Sequence, residues 1–253
     1  MTTAGRIFPK SGAMRFASPL HRGRLVKRYK RFLADIALDD GRTVTAHCAN
    51  PGAMLGVAVE GAPVWVSEHK NKARKLPFSW ELIDIDGVLV AINTTNPNKI
   101  ALEAIERDAI AELGGYSSFR REVKYGEASR IDLLLEDEAR PPCYVEIKNV
   151  HLSRAPGLAE FPDSPTKRGA KHLAELSAVA NSGARAVMLF VVQRSDCTRL
   201  RPAADLDPGY AAALRAAVNA DVETLCYDCD VQLSGVALRA RLGIEPNAPD
   251  RNT

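Results

Sequence analysis

The sequence contains no run of about 18 consecutive apolar residues, which excludes a membrane-spanning helix. Its first residues, MTTAGRIFPKSGAM, lack the apolar stretch of a secretory signal. Cysteines number five, Cys48, Cys143, Cys197, Cys226 and Cys229. An odd, irregularly spaced set argues against a disulfide framework and suits a reducing cytoplasm. The single C-x-x-C, Cys226 to Cys229, has no second Cys or His pair at finger-like spacing, so it reads as two strand cysteines rather than a four-ligand zinc site. The chain also lacks a P-loop, a Rossmann glycine pattern and a nucleophile triad; His47 and His151 have no Ser or Cys nucleophile to serve.

Acidic residues are missing from the first 31 positions, which carry nine Lys and Arg. Up to Asn93, 14 basic residues face 8 acidic ones, whereas beyond it 20 face 23. A net charge of +3 over the chain hides this asymmetry. Basic clusters at Lys27, Arg28, Lys30, Arg31 and at Lys70, Lys72, Arg74, Lys75 are the footprint of a polyanion-binding face. Tyr29, Phe32, Phe78 and Trp80 interleave the charges, as a surface that stacks on bases requires.

What is present is ordinary globular material: 253 residues, 46% hydrophobic and 26% charged, enough for a sizeable core. Up to Asn93 short alternating segments are broken by turns: LVKRYKRFLADIAL, RTVTAHC, APVWVSE, LPFSWELIDI and VLVAIN. Some five short strands in about 80 residues predict a small OB-like β-barrel. Asn96-Pro97 then opens the first helix. REVKYG, RIDLLLE and CYVEIKNV predict three strands, residues 166–182 a helix, and ARAVMLFVVQ a strand covered on both faces. A third helix after Asp207-Pro208 leads into VETLCYDCDV. The predicted organisation is an extension at 1–13, a barrel at 14–93, an α/β domain at 94–243 and a tail at 244–253, with Met14 as an alternative start.

The two strands RIDLLLE and CYVEIKNV hold the most informative chemistry. Asp132 interrupts an apolar strand, and Glu146 and Lys148, two residues apart, point to one face of the next. Their desolvation must be compensated. A divalent cation, Mg2+ or Mn2+, held by Asp132 and Glu146 would do so, with Lys148 beside it, an arrangement suited to phosphodiester hydrolysis. Glu103, bordering the inward face of the first helix, is a further catalytic candidate, and Glu122 competes with it. Thr166, Lys167 and Arg168 open a helix that offers an anion site, with Lys171, His172 and Glu175 at helical spacing; Arg168 and Lys171 are candidate phosphate contacts. His172 by itself reads as a hydrogen-bonded structural histidine. The alternative to the metal site is a structural Glu–Lys pair beside an edge-strand aspartate.

The segments PLHRGRLVKRYKRFLADIAL, HCANPGAM, NKARKLPFSWEL, EVKYGEASRIDLLLE, CYVEIKNVHL, FPDSPTKRGAKHLAEL and RAVMLFVVQ together resemble the bacterial and archaeal sugar fermentation stimulation protein A family, in collinear order from Met14 to Leu242. The resemblance implies an N-terminal OB-like barrel followed by a restriction-endonuclease-like domain of the PD-(D/E)xK type, with Asp132, Glu146 and Lys148 as its motif. It also implies DNA binding and a link to regulation of sugar, notably maltose, metabolism. Pro51 stands where the family's loop has Thr, removing a backbone donor and a hydroxyl. Three functions stay open on the residues: a metal-dependent nuclease, a non-catalytic DNA-binding regulator on a nuclease fold, and a small-molecule binder at the HCANPGAM loop.

Overall fold

In the computed structural model, residues 13–71, 73–126 and 129–245 are described. Residues 1–12 of the predicted extension, the tail beyond Glu245 and Lys72 of the second basic cluster lie outside them.

Apolar alternation in the first third curls into a barrel. Strands β2 (Leu20–Tyr29), β3 (Leu33–Leu38), β4 (Thr43–His47), β5 (Pro63–Glu68) and β6 (Phe78–Ile85) pair in the order β4-β3-β2-β5-β6, and a β4–β6 contact closes it. A sixth strand, β7 (Val88–Ala91), extends β6 through the Asp86-Gly87 turn. Leu25, Ile36, Ala46, Val64, Val66 and Trp80 fill the interior. At Gly23 the strands approach so closely that a Cβ would lie 2.5 Å from the Ala37 carbonyl oxygen, which leaves room for glycine alone.

LVKRYKRFLADIAL, expected as one strand, is a hairpin. Its turn is made by Lys30 and Arg31 at φ 49° and 63°. That left-handed turn twists with the flanking strands, but ordinarily calls for Asn or Gly, so no turn signal announced it. Strand β1 (Met14–Arg15), which the sequence grouped with the barrel, instead pairs with a strand of the second sheet.

That sheet has seven strands in the order β1-β16-β15-β13-β10-β9-β8. Its members after β1 are β8 (Ser118–Tyr125), β9 (Ser129–Asp137), β10 (Arg140–Val150), β13 (Arg185–Val192), β15 (Glu223–Gln232) and β16 (Gly235–Arg241). Helix α1 (Pro97–Glu106) packs Ile100, Ala101 and Ala104 on one face. Helices α2 (Lys167–Asn181) and α3 (Pro208–Asn219) cover the other with Leu173, Leu176, Tyr210 and Leu214. This two-sided cover explains why β13 is apolar almost throughout. A four-stranded sheet that the sequence did not foretell lies beside it, built from β11 (Leu152–Ala155), β12 (Gly157–Phe161), β14 (Cys197–Pro202) and β17 (Gly243–Ile244). All five cysteines are buried and unpaired.

Barrel and sheet share a core. Trp65, Leu82 and Ala91 pack in one cluster with Val145, Val187 and Val236. Asp163 adds a polar pin between them: its Oδ2 accepts the Met54 backbone N–H at 2.8 Å.

Candidate active site

The site forms where β9 and β10 part. Their ladder runs to the Leu133–Val145 pair, beyond which the backbone N–H of Ile147 donates to the Asp132 carboxylate at 2.7 Å. The other Asp132 oxygen accepts from the Asn98 side chain of α1 at 2.7 Å. Burial, followed by the charge of Glu146, pushes the Asp132 carboxyl up to about 6, against the pull of those two donors.

Glu146 and Lys148 share a face, as strand alternation dictates, and Lys148 Nζ donates to Glu146 Oε1 at 2.7 Å. Helix α2 brings His172 to the same oxygen. Arg168, one turn earlier, donates to His172 Nε2 at 3.3 Å. Because Nε2 accepts from Arg168, the ring proton resides on Nδ1 and is donated to Glu146. Burial alone would raise the Glu146 carboxyl, but His172 and Lys148 outweigh it and hold the group below its ordinary value.

Among the described residues, three buried carboxylate oxygens have no donor: Glu146 Oε2 and both oxygens of Glu175. Glu175 lies one turn after His172 on α2, with Lys171 Nζ 3.7 Å away. The hydroxyl of Tyr125 is likewise buried without a partner, and burial plus the charges of Glu146, Glu175 and Asp132 push its pKa up. Orphaned buried anions of this kind are what a cation site leaves on the protein side. Among the described residues no three His, Cys, Asp or Glu side chains gather around one point. A cation such as magnesium, which takes one or two carboxylates and completes its shell with water and phosphate oxygens, would ask no more than the free Glu146 oxygen and Asp132 of the protein.

The structure thus brings Asp132, Glu146 and Lys148 together, with Arg168 and Lys171 on the adjoining helix. It does not bring Glu103 to them. The charged neighbours of Glu103 are Arg107, Glu106 and Lys99, and burial raises its carboxyl. The helix contact to Asp132 comes from Asn98 instead. Glu122 is exposed at a positive-φ irregularity of β8. Asn98, Tyr125 and the orphaned state of Glu175 were not read from the sequence. Glu175 was recoverable from its i+3 spacing to His172, but the Asn98 contact spans 34 residues and left no local signal.

Of the basic residues, Lys30, Arg31, Lys70, Arg74 and Lys75 are exposed on the barrel. Lys27 lies 3.7 Å from Asp35 and over the Tyr29 ring. Arg28 departs from its expected role. Its guanidinium donates to the Asn50 and Gly52 carbonyls, both at 2.9 Å, and clamps the loop that contains Pro51. These partners could not be foreseen, since carbonyls leave no charge signature in sequence. Phe32, 46% exposed, stacks on His47 near the Lys30–Arg31 turn, whereas Phe78 and Trp80, expected among the stacking aromatics, are buried.

Comparison with known proteins agrees with this architecture. A family model described as the SfsA N-terminal OB domain matches residues 26–92, and one described as the sugar fermentation stimulation protein RE domain matches residues 95–235. A sugar fermentation stimulation protein homolog of Maricaulis maris is 55% identical over 232 residues, covering 92% of this chain and 99% of the relative. A homolog from Paramagnetospirillum magneticum is 56% identical over 232 residues, covering 92% and 98%. The solved structure of Pyrococcus furiosus SfsA in complex with Ca2+ superposes with a TM-score of 0.84 at 28% identity, over 93% of this chain and 99% of that one. The chain belongs to the sugar fermentation stimulation protein family.

Proposed function

We propose that this protein binds nucleic acid, DNA foremost, through the barrel and hydrolyses phosphodiester bonds at the Asp132, Glu146, Lys148 cluster with Mg2+ or Mn2+. The observation that carries the reading is the buried Glu146 Oε2, without a donor among the described residues, beside an Asp132 whose ionisation is resisted by burial and then by the charge of Glu146. Two carboxylates that repel each other in a buried site are stabilised by a shared cation. The Ca2+ in the related Pyrococcus furiosus structure supports a divalent ion in this family.

Asp132 and Glu146 would hold the metal, which when bound polarises the phosphoryl oxygens and lowers the pKa of its water. The residues of this chain do the rest. Lys148 presents a cation where negative charge develops on the phosphoryl group. His172 fixes the orientation of Glu146 through Oε1 and leaves Oε2, without a donor among the described residues, as the oxygen that would hold the metal. Arg168 fixes the tautomer of His172 and offers its remaining N–H groups to the phosphate backbone. Lys30 and Arg31, exposed at the hairpin tip with Phe32, would hold the strand from the barrel side.

Labelled single- and double-stranded DNA and RNA with Mg2+ or Mn2+ provide the test. Asp132→Ala, Glu146→Ala and Lys148→Ala should each lower cleavage at least about a hundredfold while leaving binding within a factor of a few. Binding without cutting under any metal would retire the catalytic half. A second reading, a DNA-binding regulator on the same fold, would then stand. It is favoured by Glu146 Oε1, which His172 and Lys148 already satisfy as a structural cluster would. Connection to sugar metabolism follows the family, and regulation of it is the expected context for either reading.

A further inference from the structure

Outside the carboxylate cluster, a cavity of about 270 Å3 opens at the seam between barrel and α/β domain. Five cationic or imidazole side chains line it: Arg15 from β1 of the second sheet, His47 and His69 at the ends of β4 and β5, Arg74 from the β5–β6 loop, and Lys99 from the first turn of α1. Among the described residues, no carboxylate forms an ion pair with Arg15, Arg74 or Lys99. Elsewhere in the α/β domain Arg154, Arg185, Arg194, Arg201 and Arg239 are all paired.

The one acidic side chain in the lining, Glu81, is already satisfied. Its Oε1 accepts from Ser67 Oγ at 2.8 Å and its Oε2 from Asn93 Nδ2 at 2.9 Å. His69 is held to Ser79 Oγ at 2.8 Å. Three cations against one engaged carboxylate leave the cavity positive. Asn96 adds an unused donor. It occupies the N-cap of α1, but its side chain makes no cap bond, and its buried Nδ2 has no partner among the described residues. The first turn of α1 contains no acidic residue to neutralise the N-terminal dipole.

We propose that this seam cavity binds a phosphate group through Arg15, Arg74, Lys99 and the Asn96 amide, carried either by a nucleic-acid strand or by a free nucleotide. Position supports the strand. Lys99 is one residue from Asn98, whose amide holds Asp132, so a phosphate in the cavity lies next to the helix turn that contacts the candidate active site. Phe32 and His47 lead into the cavity from the barrel side, His47 belonging both to the ring stack and to the lining. The strand as phosphate donor rests on the nucleic-acid reading above; the positive cavity itself does not.

Binding of the full chain to three probes tests the proposal: AMP, a short oligonucleotide with a 5′-phosphate, and the same oligonucleotide with a 5′-hydroxyl. Arg74→Ala and Lys99→Gln should each weaken at least one probe about tenfold, with Lys99→Arg restoring it, and with circular dichroism and melting temperature reporting an intact fold. Loss confined to AMP identifies a free nucleotide, loss confined to the 5′-phosphate oligonucleotide a strand end, and equal loss for both oligonucleotides an internal phosphate. In the last case the log–log salt slope should also fall by about 0.7–0.9 per contact removed. Folded variants with unchanged affinity for all three probes overturn the proposal. If AMP binds through these residues but neither oligonucleotide binds at all, the cavity stands and the nucleic-acid reading falls. If oligonucleotides bind and are cut while the variants change nothing, the reverse holds.

Discussion

The barrel leaves a cluster of its cations unpaired, whereas the α/β domain commits many of its arginines to buried acids. In the α/β domain, carboxylates are taken inside and matched there: Glu160 is held by Arg154 and Arg201, and Asp228, fully buried, by Arg239. A buried anion without such a partner is strongly destabilising, so these arginines are committed to the fold. On the barrel, Lys30, Arg31, Lys70, Arg74 and Lys75 stay exposed, and among the described residues none forms an ion pair. Exposed pairs add little to stability, so leaving these cations unpaired sacrifices little and keeps them available to an outside anion. The exception inside the α/β domain is the Asp132, Glu146, Glu175 group, where among the described residues Glu146 Oε2 and both Glu175 oxygens receive no hydrogen bond. A domain that satisfies its other buried acids leaves them short at one place.

The widest test of that contrast removes the barrel's core. Trp80 is fully buried, with its indole N–H on the Leu82 carbonyl at 2.9 Å, and Trp80→Ala should cost about 3–5 kcal/mol. Because Leu82 and Trp65 belong to the core shared with β10 and β13, thermal unfolding should stay a single transition by calorimetry, at a lower temperature. Two separated transitions would show the barrel to be an independent unit and weaken the comparison between coupled halves.

A middle-sized effect concerns the acids left short. Asp132 has its pKa raised to about 6 in the folded protein from an ordinary 3.8, so between those values the native state binds more protons than the unfolded chain. Stability from this group is therefore fully present below the lower value and lost as pH rises through about 6, at roughly 1.4 kcal/mol for each pH step of one between the two. Asp132→Asn, which keeps the shape and removes the charge, should raise the melting temperature at pH 7 and leave it unchanged near pH 4. A variant less stable than the parent at pH 7 in metal-free buffer would mean that the acids are not in conflict.

The smallest effect sharpens the barrel's side. Arg31 sits at φ 63°, which costs a non-glycine residue on the order of 1 kcal/mol. Arg31→Gly should raise stability by up to that amount in urea titrations and weaken DNA binding severalfold. If affinity is unchanged, the hairpin tip is not a phosphate contact and its strain has another cause.

Much of this architecture was legible in local pattern. Alternation in RTVTAHC and APVWVSE located barrel strands, Asn96-Pro97 located α1, and the apolar run at β13 announced a sheet covered on both faces. The Asp132, Glu146, Lys148 trio was legible because polar residues in apolar strands are rare, and the two-residue spacing fixes a common face. The Lys30–Arg31 turn was not, since its residues carry no left-handed preference and the barrel's closure imposes the conformation. Nor was the commitment of Arg28 to backbone carbonyls, nor the small sheet of β11, β12, β14 and β17.

The sequence by itself determined the three helices and most strands of the two main sheets, where basic charge accumulates, and which strand positions carry unusual polar groups, because these depend on neighbours a few residues apart. Only the tertiary structure decided which charges are satisfied. Asn98 reaches Asp132 across 34 residues, and His172 reaches Glu146 across 26. Arg74 comes to a seam shared with Lys99 rather than to a carboxylate. Electrostatic compensation acts through space over a few ångströms and is indifferent to distance along the chain, so folding alone separates the cations and acids that hold the protein together from those left for a ligand.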